Sequence, residues 1–230
     1  MIKPNTKFIY QHMGLGDHLI CNGLVRKIIQ PENEYLMFVK PHNLGSVSYM
    51  YRDISNLKFV SCDDAGAVNF INQFGSADRL YLVGFNWIDT DRSFEENFYL
   101  QHGIPFDQKW KSFRADRDDK LETDVYDHYG INGDYIFIHD DNRFKINNDR
   151  LPQGMRIVRP ELGLVDTIFG YAKLIEQAKQ VHCIESSFAF MVDLMKLNTE
   201  FYIHRYSRPL EGYDAVDLFG KYKNAKEILK

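Results

Sequence analysis

Short apolar runs alternate with helical stretches along this chain. Phe8–Met13 has the character of a strand and Gly14-Leu-Gly-Asp17 that of a turn. The spacing of Leu19, Leu24 and Ile28 predicts a helix from about His18 to Gln30, with Pro31 where it must stop. Strands are predicted at 35–39, 57–60 and 79–83, with a helix over 65–74 before the last of them. From Asp89 to Asp127 the pattern turns charged and aromatic, and reads as one or two helices in a solvated connector with aromatic anchors. The rhythm then resumes with strands at 135–138, 156–158, 181–184 and 201–203. Helices are predicted over 167–179, 186–197 and 220–230. Strands and helices alternating this way pair in parallel, so the expectation is an α/β protein of two Rossmann-like, doubly wound halves facing a cleft. The halves are expected at 1–115 and 116–230.

Composition narrows the field of functions. Among 230 residues, 44% are hydrophobic and 26% charged, enough for a buried core and incompatible with a disordered or collagen-like chain. Lys and Arg total 28 against 32 Asp and Glu, and a net charge of −4 disfavours nucleic acid as the main partner. No apolar run approaches the ~18 residues of a membrane span, and the first residues lack a secretory leader pattern. Cys21, Cys62 and Cys183 are far apart, which predicts a reducing, cytoplasmic setting without disulfides.

Three stretches could carry chemistry. The first is Gly14-Leu15-Gly16-Asp17-His18, where glycines let backbone approach a ligand and a helix start offers free N–H groups. Leu19 replaces the third glycine of a dinucleotide fingerprint, and no Gly-Lys-Ser/Thr follows as in a Walker loop. Asp17 is either a helix cap or an active-site acid, and the sequence leaves both open. The second is Glu185-Ser186-Ser187 between a strand and a helix, suited to ribose hydroxyls and a phosphate, or simply to capping. The third is His139-Asp140-Asp141-Asn142-Arg143-Phe144-Lys145. Arg143 and Lys145 could clamp a diphosphate, His139 could orient a hydroxyl or move a proton, and Asp141 and Asn142 read as loop. Asp89-Thr-Asp91 imitates a DxD metal site without a supporting carboxylate. No histidine pair has metal-ligand spacing, so no metal and no cofactor are expected.

The Gly14–Asp17 turn and the Cys183–Ser187 strand-to-helix step together resemble GT-B glycosyltransferases, in particular their heptosyltransferase-like branch. The resemblance covers the order of elements over most of the chain, on short motifs. It departs in chain length, in Glu185 and Ser187 where the family has Asp and Gly, and in Phe190 where it has His. It implies a minimal GT-B fold acting in polysaccharide biosynthesis, with Asp17 as general base on the acceptor side. Glu185 and Ser186 would then meet a nucleotide-diphosphate sugar, and Arg143 or Lys145 its phosphates. The expectation is metal-independent sugar transfer to an acceptor hydroxyl. The alternatives are a nucleotide-sugar epimerase of the same shape or a non-catalytic nucleotide- or glycan-binding protein.

Overall fold

The computed structural model describes residues 2–3, 5–85, 88–161, 163–207 and 220–228. The chain divides into two compact units, Met1–Asp116 and Arg117–Lys230.

The first unit is built on four parallel strands. In chain order it has β1 (Thr6–Gln11), α1 (Leu15–Ile20), α2 (Asn22–Ile28), β2 (Glu34–Val39), α3 (Leu44–Met50) and β3 (Leu57–Ser61). It continues with α4 (Asp64–Phe74), β4 (Leu80–Val83), α5 (Phe94–Leu100) and α6 (Gln108–Lys111). The strand order is β3-β2-β1-β4, all parallel. Central β1 is buried at five of its six positions, as expected of a strand covered on both faces by crossover helices. The chain leaves β1 toward β2 and returns from β3 to β4 on the other side of β1. The order therefore reverses between β1 and β4, and their carboxyl ends open a crevice, the usual ligand position in such sheets.

The second unit repeats the plan with α7 (Asp119–His128), β5 (Tyr135–His139), β6 (Arg156–Val158), α8 (Ala172–Glu176), β7 (Gln180–Cys183), α9 (Ser187–Leu194), β8 (Glu200–His204) and β9 (Ala225–Ile228). Its order is β6-β5-β7-β8-β9, again all parallel, with the reversal between β5 and β7. Ile136, Phe137, Ile138, Val181 and Cys183 lie at zero exposure and form the centre of this sheet.

Several elements differ from the sequence expectation. The helix expected over 18–30 begins at Leu15 and is interrupted at Cys21, where buried Asn22 turns its amide to bond both main-chain groups of Arg114. The connector holds three helices. Its aromatic residues Phe98, Tyr99 and Trp110 are core: Tyr99 is fully buried and donates to the Ile20 carbonyl at 2.7 Å, and Lys109 and Glu95 form a buried ion pair. The helix expected over 167–179 is a 3₁₀ turn, Ile168–Tyr171, running into the short α8. The terminal helix expected over 220–230 is instead edge strand β9, with its last two positions outside the described residues. Ala225 and Ile228 satisfy a helical spacing equally well, but the free edge of β8 offers a full parallel ladder from Phe201↔Ala225 to His204↔Ile228. Lys226 and Glu227 are both exposed on that edge, charged residues being the usual protection of an edge strand, and they pair with Glu200 and Arg205 respectively.

Candidate active site

The reversal point of the first sheet carries the glycine turn. β1 ends at Gln11, and Gly14 occupies the N-cap of α1 with no side-chain cap bond. Asp17 is thus the third residue of the first helical turn and not its N-cap, though a hydrogen bond from the Gly14 main chain still lets its carboxylate serve that end of the helix. Its carboxylate folds back over Gly14. A Cβ at position 14 would lie 2.6 Å from Asp17 Oδ2, so any larger residue there would push the Asp17 carboxylate aside. Burial pushes Asp17 up to about 6, while the charge of His12, hydrogen bonds from the main chain of Asp17 and Gly14, and Lys40 at the end of β2 pull it down. A carboxylate poised near neutrality at a sheet's ligand edge is suited to general-base work.

His12, although exposed, is fixed beside this turn. Its Nε2–H donates to the Gly84 carbonyl at 2.9 Å. The ring stacks on Phe85 at 4.7 Å and Phe98 at 5.8 Å, and Phe85 stacks on Tyr10 at 4.8 Å. Gly84 makes this column possible: its φ is +87°, and a Cβ there would approach the Phe98 ring to 2.5 Å and His12 to 2.8 Å. Phe85 remains 42% exposed at the carboxyl end of β4. Gly16 lies inside the first turn of α1. His18 has no exposed surface; its Nδ1 accepts from the Gln11 amide, and burial holds it down at about 3, so it is a neutral core residue.

The reversal point of the second sheet gathers the other two motifs. His139 ends β5 and stacks at 4.3 Å on Phe188, the second residue of α9. Its Nδ1 is buried with no hydrogen-bond partner, and burial lowers its pKa to about 4. Ser186 is the N-cap of α9 and accepts a long bond from Ala189 N–H at 3.5 Å; Ser187 is the first helical residue. Glu185 Oε1 accepts from Gly220 N–H and Tyr222 O–H, while Oε2 pairs with buried Arg205. A ribose hydroxyl at Glu185 would have to share oxygens that already have partners. Burial raises the Glu185 pKa against the opposing pull of Arg205.

The loop after β5 is shaped by its aspartates. The Asp140 side chain is 1% exposed and accepts from Arg159 Nε at 3.0 Å and Ile146 N–H at 3.2 Å. Asp141 Oδ1 accepts from the N–H groups of Arg143 and Phe144 at 2.8 and 2.6 Å. These bonds turn the loop and leave Arg143 and Lys145 exposed. Arg143 lies over the Phe144 ring at 5.1 Å, and Lys145 Nζ is 3.9 Å from Asp140. Elsewhere, Asp89 accepts from Asp91 N–H and Arg92 Nε, which makes it the hinge of a local turn. Among the described residues no group of three or more His, Cys, Asp or Glu side chains could hold a metal ion, and no helix is long and apolar enough to cross a membrane.

No protein-family model matches the chain, and no curated protein does. The solved structure of a glycosyl transferase of family 9 from Veillonella parvula is similar at a TM-score of 0.58 and 9% identity, over 99% of this chain and 88% of that one. The iron-containing dodecameric glycosyltransferase TibC from enterotoxigenic E. coli is similar at a TM-score of 0.51 and 11% identity, over 87% of this chain and 58% of that one. What is shared at such identities is the fold: two parallel-sheet α/β halves of the glycosyltransferase type, as the two strand-to-helix steps imply.

Proposed function

We propose that this chain is a glycosyltransferase that moves a sugar from a nucleotide-diphosphate donor to an acceptor hydroxyl, with Asp17 as its general base. The observation that carries the reading is Asp17 itself, a carboxylate raised to about 6 at the reversal point of a glycosyltransferase-type sheet. The acceptor is assigned to the first unit and the donor to the second. The acceptor O–H proton passes to the Asp17 carboxylate as its oxygen forms a bond to the anomeric carbon. The bond from that carbon to the diphosphate breaks, and the electron pair leaves on the phosphate oxygen. Arg143, Lys145 and the N–H groups at the start of α9 stabilise that charge, usually the largest single term in such a reaction. Ser186 and Ser187 present hydroxyls beside those N–H groups, and Glu185 holds the strand-to-helix step through Arg205.

In this reading no metal takes part, so a chelator leaves transfer unchanged. Strict dependence on manganese or magnesium would contradict it. A thermal-shift screen against UDP, GDP, ADP, TDP and CMP tests the donor assignment, because a ligand that binds only the native state raises its apparent stability. One nucleoside diphosphate should raise Tm, and Arg143→Ala with Lys145→Ala should abolish the rise. No response to any nucleotide at millimolar concentration would contradict the donor site.

A further inference from the structure

Behind the 140–147 loop lies a run of hydrogen bonds through buried histidines. The Asn147 main chain meets Tyr206 Oη at 3.0 Å, and Tyr206 Oη meets His204 Nδ1 at 3.0 Å. His204 Nε2 meets His182 Nδ1 at 2.9 Å, and His182 Nε2 meets Gln180 Oε1 at 3.2 Å. Both imidazoles are buried, at 2% and 0% exposure, and the His182 ring stacks on Tyr202 at 4.8 Å.

The proton positions follow from the far end. Gln180 Nε2 lies 2.7 Å from a Glu200 oxygen, and a carboxylate only accepts, so the amide is oriented with Oε1 toward His182. Oε1 also only accepts, so His182 Nε2 carries a hydrogen and its Nδ1, in the neutral ring, accepts. His204 Nε2 must then donate, which leaves His204 Nδ1 to accept the Tyr206 hydroxyl proton. The Tyr206 oxygen is left to accept the Asn147 N–H, which can only donate. Every bond then runs in one direction, and the Asn147 end is compatible with the assignment that the Gln180 end sets.

We propose that Asn147–Tyr206–His204–His182–Gln180 is a positioning relay that locks the end of the 140–147 loop, with its cations Arg143 and Lys145, onto the second sheet. Its functional half rests on the reading of that loop as the diphosphate site. Arg150 adds to the lock, its guanidinium lying over the Tyr206 ring at 4.6 Å. The relay works only with both rings neutral: a second proton on His182 would set its Nδ1–H against His204 Nε2–H, and one on His204 would turn the Tyr206 hydroxyl from donor to acceptor and reverse that bond. Burial supplies that condition by holding both histidines at about 4. The Arg150 charge presses His204 lower, and Glu200 opposes at His182. Glu200, kept ionised to about 2 by Lys226, Gln180 and Tyr202, is a constant acceptor at the far end.

Tyr206→Phe removes one O–H and little volume. In the full chain it should speed hydrogen exchange at the Asn147 amide at least tenfold. It should also weaken binding of inorganic pyrophosphate about 3–10-fold, with pyrophosphate affinity measured only on folded protein. Nitrogen-15 NMR of the wild type should show both rings as neutral Nε2–H tautomers at pH 7. Unchanged Asn147 exchange in Tyr206→Phe, or an Nδ1–H tautomer at either ring, would overturn the relay. Lost Tm with unchanged pyrophosphate affinity would reduce it to a packing feature. Pyrophosphate binding that survives Arg143→Ala with Lys145→Ala would overturn the diphosphate reading instead, while the Asn147 amide still decides the relay.

Discussion

Replacing Asp17 by Asn keeps the shape that folds over Gly14 and removes the ability to accept a proton. Sugar transfer should fall about 10²–10⁴-fold while donor binding is retained. Stability should move the other way. The folded pKa of about 6 lies above the ordinary carboxylate value of 3.8, so the favourable contribution is present below about pH 4 and is lost as pH rises through 6. Asn escapes that loss, and Asp17→Asn should be more stable than wild type by about 1–2 kcal/mol at pH 8, with the gap closing toward pH 4. Urea denaturation at the two pH values checks this. Equal stability at both would mean that Asp17 is no more penalised by burial than in the unfolded chain. Asp17 was legible as a candidate from its place in a Gly-x-Gly-Asp turn, but that Gly14 and not Asp17 holds the N-cap could be seen only in the structure. His12 left no comparable trace, because its partners Gly84, Phe85 and Phe98 are about 72 to 86 positions away in sequence.

At the scale of elements, the step from β7 into α9 combines a cap with a buried ion pair. Ser186→Ala should cost about 0.5–1 kcal/mol, the low end for a lost cap, since its bond to Ala189 is already long. Glu185→Ala should cost more, about 2–4 kcal/mol, because it strips a buried guanidinium of one partner and leaves Glu227 and the Gly220 carbonyl. A Glu185→Ala protein as stable as wild type would contradict the structural role of that pair. The central buried strands of both sheets were readable because each is a continuous apolar run, as in Tyr135–Ile138. Short elements were less readable. Helix α3 went unpredicted, since Gly45, Ser46 and Ser48 blur its apolar stripe. β9 imitated a helix because four residues cannot separate a spacing of three from an edge strand with two exposed charges.

For the molecule as a whole, acid should be the weak side. His18, His139, His182 and His204 are held at about 3 to 4 by burial, below the ordinary value of 6.5. Their contribution is complete above pH 6.5 and lost as pH falls through the folded values, because the unfolded chain takes up protons that the native chain refuses. Asp17 and Glu185, both raised by burial, act in the opposite sense but are outnumbered by the four histidines. Tm should therefore drop by several degrees between pH 7 and pH 4.5, as a calorimetric pH series would show; a rise would contradict the buried neutral histidines.

The most direct test of the central claim is turnover. Wild type and Asp17→Asn are incubated with a panel of nucleotide-diphosphate sugars and a pool of simple sugars and oligosaccharides, and mass spectrometry follows nucleoside diphosphate and new glycoside together. One donor should be consumed by wild type with glycoside and nucleoside diphosphate appearing in equal amounts, and Asp17→Asn should be at least about a hundredfold slower. Equal rates in the two proteins, or consumption of the donor without a new glycoside, would contradict a transferase that uses Asp17 as its base.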